Sequence, residues 1–161
     1  MATVKGGKHL LVGNSAEYFV MAELLRDSKI AGLLPRNDTD HDIIASDGKK
    51  EVKIRVKSKS SEFDGWQWQA KKHPEYCLAN ICHNDFTILV NITKAPSNPE
   101  FFIFKSQFIE DFLQKNHRTW ESSLGRGGIS HSKDNKKRVL GYSKYKEIVE
   151  SARDKWGILW D

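Results

Sequence analysis

The sequence predicts a mixed α/β (α+β) fold, a central mixed sheet of four or five strands flanked by helices. Three observations lead there. Residues 14–30 carry apolar side chains at helical spacing. Several short strand-like runs follow between residues 31 and 104. Two further segments return to a helical period. One helix, then strands, then helices implies a sheet with helices packed on it.

The first helix is read from NSAEYFVMAELLRDSKI. Ala16, Val20 and Leu24 recur every four residues, with Phe19, Met21 and Leu25 beside them. Asn14 suits an N-cap, Glu17 stands three residues later at the capping-box position, and Gly32 is placed to end the helix. Residues 31–35 read as a first short strand. Residues 42–46 and 50–58 read as a hairpin across Asp47-Gly48, a strong turn signal. In its second arm Val52, Ile54 and Val56 face one side; Glu51, Lys53, Arg55 and Lys57 face the other. GWQWQA at 65–70 alternates again, with Trp66 and Trp68 on a core-facing side and Gln67 and Gln69 opposite. DFTILVNI at 85–92 is nearly continuous in apolar residues, as a strand buried on both faces requires. EFFIF at 100–104 is a further strand.

Ser106 is placed to cap a helix of about ten residues, with Phe108, Ile109, Phe112 and Leu113 as its apolar stripe. Residues 117–141 read as a long basic loop, and a last helix is expected over 143–156. All of this fits a single domain over residues 1–161.

Composition narrows the function classes. Hydrophobic residues make up 39% and charged ones 29%, an ordinary globular balance. No apolar run approaches the roughly 20 residues a membrane helix needs. No signal peptide is apparent, and two cysteines make no disulfide framework, so a cytoplasmic location is expected. A net charge of +5 favours polyanions as partners, nucleic acid above all. His73, Cys77, Cys82 and His83 are four zinc-ligand types, but Cys-x4-Cys is a loose spacing and adjacent ligands diverge in a strand; free thiols are the expectation. GRGG at 125–128 lacks the setting of a phosphate-binding P-loop.

The informative stretch is DHDIIASDGKKEVKIRVKSK, residues 40–59. Phosphodiester cleavage needs an activated water and stabilisation of phosphate charge. A divalent metal on one or two carboxylates supplies both. An aspartate entering one strand and a lysine leaving its hairpin partner can converge on one point, and Asp42 and Lys57 have that arrangement.

These residues resemble the PD-(D/E)xK nuclease superfamily, whose fold is restriction-endonuclease-like. The likeness is to small prokaryotic members. It runs through Ala16-Glu17, Asp42-Ile43, Asp47-Gly48 and Ile54-Arg55-Val56-Lys57, covering about residues 10–70. The resemblance implies a DNA nuclease, with RNA ranked second, dependent on Mg2+ or Mn2+, and a homodimer as many proteins of this fold are. It assigns Asp42 and Glu17 to the metal and Lys57 to the attacking water or the developing charge. Arg55 departs from the pattern, because the family places an acidic or amide residue there and arginine cannot bind a cation. Glu17 or Glu51 would then make up the ligand, or the fold would serve as a module that binds nucleic acid or a protein partner without cleavage. An alternative Glu51-Val52-Lys53 reading ranks second. Arg55 either pairs with Asp42 or Glu17 or contacts phosphate. Lys53, Lys59, Arg126, Lys136 and Lys137 complete the expected nucleic-acid contacts.

Overall fold

The computed structural model describes residues 7–35, 40–59, 63–70, 76–78, 81–93, 98–131 and 135–161, without the side chains of residues 7–10 and 126. The chain is a mixed α+β fold with a five-stranded mixed sheet flanked by helices. Helix α1 (Gly7–Arg26) is followed by β1 (Ile30–Leu33), β2 (Ile43–Ser46), β3 (Glu51–Lys59), β4 (Gly65–Gln69), β5 (Asp85–Asn91) and β6 (Glu100–Lys105). Helix α2 (Ser106–Ser122), β7 (Lys137–Gly141) and the short α3 (Lys146–Glu150) complete it, with a 3-10 turn at Trp156–Leu159.

The main sheet has the order β1-β2-β3-β5-β6. Only the β3–β5 pair is parallel. β4 leaves this sheet and pairs with β7 in a two-stranded antiparallel ribbon. The hairpin turn forms where the sequence placed it. Gly48 adopts φ 89°, and the Asp47 carboxylate accepts the Lys49 and Lys50 amides at 2.9 and 2.8 Å.

Two cores follow from the two faces of the sheet. Under α1, Ala16, Val20 and Leu24 pack on Ile43, Val52, Ile54, Phe86, Ile88 and Ile103, with Leu159 closing the end. On the other face, Leu89, Phe102 and Phe104 pack on Ile109 and Leu113 of α2, Val149 of α3, and Trp66, Trp68 and Leu140 of the ribbon. The Trp66 indole donates to Val90 O at 3.1 Å, which locks β4 to β5. Gly65 is required, because a Cβ there would lie 2.3 Å from Leu140 O.

Several expected boundaries are corrected. α1 begins seven residues before Asn14. Asn14 therefore does not cap it, and Glu17 is in mid-helix rather than in a capping box. The helix ends at Ser28, with φ 58°, whose amide and that of Lys29 bond to Leu25 and Leu24 carbonyls; Gly32 lies inside β1. Ser106 opens α2 but does not cap it, since its Oγ is turned 2.9 Å from the Thr87 hydroxyl in the core. α2 runs to Ser122, and β7 occupies 137–141, so the expected loop at 117–141 loses both ends. Phe108 is exposed and stacks on Phe104 instead of entering the core.

The last helix is short for a tertiary reason. Residues 152–154 lie along β6: Ile103 N donates to Ala152 O and Asp154 N to Phe101 O, both at 3.0 Å. β6 is an edge strand, and the chain covers that edge instead of continuing as helix.

Candidate active site

A cleft of about 530 Å³ opens where the first half of α1, the mouth of the β2–β3 hairpin and β4 meet. Glu17, Asp42, Arg55, Lys57, Lys59 and Gln67 all line it. Four separate elements or their flanks deliver these side chains. Alternation along β3 places Arg55, Lys57 and Lys59 on one face, and the register sets Asp42 beside them, with Asp42 N donating to Ile54 O at 2.9 Å.

Asp42 is anchored. Its Oδ2 accepts the Val56 amide at 2.7 Å, which fixes the carboxylate against β3. Its Oδ1 carries no hydrogen bond among the described residues. Glu17 reaches the same cleft from α1. Two carboxylates and a lysine thus share one polar space. Such a donor set fits Mg2+ or Mn2+, which bind with one or two carboxylates and keep their waters. No group of three His, Cys, Asp or Glu residues forms a metal cluster among the described residues.

Arg55 is committed locally. Its guanidinium donates to the Asp40 carbonyl and lies 3.5 Å from the Asp40 carboxylate. Asp40 was not singled out in the sequence; it stands in the bend that leads into β2. Glu51 cannot replace a ligand at this site: it begins β3, six residues from Lys57, about 20 Å away along an extended strand. Glu51 and Lys53 of the alternative Glu51-Val52-Lys53 reading are both exposed, and neither lines the cleft.

Lys59 is the residue whose setting differs most from expectation. It is only 8% exposed, and its ammonium lies 5.8 Å from the Trp66 ring and 5.3 Å from the Tyr142 ring. Burial pushes its pKa below the ordinary lysine value, against the pull of Asp64 and Glu100. It lines the wall of the cleft.

Of the other expected contacts, Lys136 and Lys137 are exposed at the start of β7 and do not line the cleft, and the Arg126 side chain lies outside the described residues. Cys77 is buried, with its thiol pushed up to about 12 by burial and Glu110; Cys82 is exposed. His73 lies outside the described residues.

The chain is similar to I-Ssp6803I, a bacterial homing endonuclease, with a TM-score of 0.52 over 92% of this chain and 90% of that one, at 12% identity. That likeness is one of fold. No family model and no curated protein matches the sequence. No helix among the described residues is long and apolar enough to cross a membrane.

Proposed function

We propose that this chain is a metal-dependent nuclease acting on nucleic-acid phosphodiesters, DNA before RNA. The observation that carries the reading is the convergence of Glu17, Asp42 and Lys57 on one cleft from α1, the β2 entry and β3. The homing-endonuclease likeness of the fold supports it.

Asp42 and Glu17 would hold Mg2+ or Mn2+. When bound, such an ion supplies Lewis acidity and lowers the pKa of a coordinated water. The remaining work falls to the chain. The Val56 amide keeps Asp42 in one orientation. Lys57 donates hydrogen bonds to the attacking water or to a non-bridging phosphate oxygen, where negative charge grows. Lys59 adds a positive field from the wall, where the Trp66 and Tyr142 rings exclude water. Gln67 offers a neutral donor from β4. Arg55, tied to Asp40, shapes the entry and is not a metal ligand.

One observation favours a second reading. Arg55 with its own counter-ion stands where a second metal-binding acid belongs in the pattern, so a module that binds nucleic acid without cutting is the alternative.

The deciding experiment incubates the chain with plasmid, linear duplex, single-stranded DNA and RNA in Mg2+, Mn2+ or EDTA, with Asp42→Ala and Lys57→Ala in parallel. Metal-dependent cutting that disappears in both variants is the expected result. Salt-dependent binding without cutting on any substrate would replace the nuclease by the binding module.

A further inference from the structure

A second concavity, about 290 Å³, lies where the C-terminal half of α2 meets β7. Its character is cationic. Lys137, Arg138 and Lys144 line it, and no carboxylate does among the described residues. Arg138 is only 5% exposed; its Nη1 donates to the carbonyls of Asn135 and Lys137 at 2.6 and 3.2 Å, which fixes the guanidinium at the pocket wall. Trp120 supplies an apolar side. Its indole is held in near-parallel stacks with His117 and His131, at centroid distances of 5.4 and 4.0 Å. Both faces of the indole are thus taken, and its edge gives an apolar wall beside three cations, which suits a phosphate group with an apolar neighbour.

The pocket is also tied to the cleft by strand register. Gln67 of β4 lines the cleft, and its direct partner across the ribbon, Val139 of β7, lines the pocket. Paired strands lie about 4.8 Å apart. The two concavities are therefore neighbours across one strand pair, a separation that one or two nucleotides of a strand cover.

We propose that this pocket is a nucleotide subsite. It takes a backbone phosphate of the same strand whose neighbouring phosphate lies in the cleft, with the sugar or base against Trp120. The proposal rests on the nucleic-acid reading of the cleft. It assigns Lys144, Arg138 and Trp120 a role, and gives Lys137 a defined site within the stretch that the sequence presents as a long basic loop.

The test measures binding of a labelled single-stranded oligonucleotide by fluorescence anisotropy, in EDTA, over a series of KCl concentrations. Four proteins are compared: the wild-type chain, Lys137→Gln/Lys144→Gln, Trp120→Leu and Lys57→Gln. Lys137 and Lys144 are exposed, so the double variant keeps the fold, which a melting curve checks. The double variant is expected to flatten the slope of log affinity against log salt by about 0.7 for each lysine. Trp120→Leu is expected to weaken binding with the slope kept, because an apolar edge contact is not ionic. A wild-type slope in the double variant, with a flatter one in Lys57→Gln, would overturn the pocket and leave the cleft standing. No binding by the wild-type chain would overturn both.

Discussion

The two faces of the five-stranded sheet are built from the same strands and end differently. Under α1 the face is closed from β2 to β6 by apolar side chains. The opposite face is closed over β5 and β6 by α2, α3 and the β4–β7 ribbon. Over most of β3 it is not closed: Lys53, Arg55 and Lys57 stand there, and only Lys59 at the strand end is covered, by Trp66 and Tyr142. The difference teaches where a site can form. A strand that is apolar on one side and cationic on the other can be covered on one side only, because an unpaired buried charge costs far more than a methyl group gains. The ribbon stops beside β3 and leaves a cleft.

The largest expected effect strikes the open side. Asp42→Asn keeps an acceptor for the Val56 amide but loses the charge, so cleavage should fall on the order of 1000-fold, about 4 kcal/mol, with the melting temperature nearly kept. An assay of nicking rate against Mg2+ concentration checks this; unchanged rates would remove Asp42 from the chemistry.

Next, the two closed regions should respond alike. Trp66→Ala on the ribbon side should cost about 3–5 kcal/mol, and Ile54→Ala under α1 about 2–5 kcal/mol, in urea unfolding. Both side chains are fully buried. A Trp66→Ala cost below about 1 kcal/mol would mean that the ribbon is not part of the cooperative fold.

Lys59 tests the border between closed and open. Lys59→Met keeps the packing against Trp66 and Tyr142 while removing a desolvated charge. The melting temperature should rise by about 2–4 °C at neutral pH, as nucleic-acid binding weakens. The sign with pH follows from the lowered pKa. The unfolded chain holds this proton more tightly, so wild-type stability rises as pH climbs from the folded value toward 10.5, and the methionine variant lacks that rise.

The smallest effect lies at the closed end. Arg153 donates to Glu150 at 2.7 and 2.8 Å, and the Tyr142 hydroxyl donates to it as well. These bonds lower the Glu150 carboxyl from 4.5 to about 2. Its contribution is therefore complete above pH 4.5 and fades as pH falls toward 2. After allowance for solvent screening this is under about 1 kcal/mol. Acid titration of Glu150→Gln, followed by circular dichroism, should show a shallower decline over that window.

How much was legible depends on range. The hairpin and the buried β5 were readable because period 2, a turn dipeptide and an unbroken apolar run are local signals. Asp42 and Lys57 were named from the hairpin arrangement and Glu17 from the family resemblance, and all three line one cleft. The polar segment HRTWES concealed the last turns of α2, which run past the apolar stripe. The helical spacing in 143–156 was real, but the open edge of β6 drew residues 152–154 into pairing. Nothing local marked Asp40 as the partner of Arg55, or Tyr142 as a wall for Lys59.

The sequence by itself determined which residues alternate, which faces are apolar, where the hairpin turns, and that one strand carries its cations on one side. Those properties depend on side-chain identity and backbone period, which neighbours along the chain set. Only the tertiary structure decided that β7 pairs with β4, that Lys59 is caged by two rings while Lys57 opens on the cleft, and that a basic pocket lies one strand pair from the candidate site. Those outcomes turn on which distant surfaces bury the most apolar area without stranding a charge, and no stretch of ten or twenty residues contains both sides of that balance.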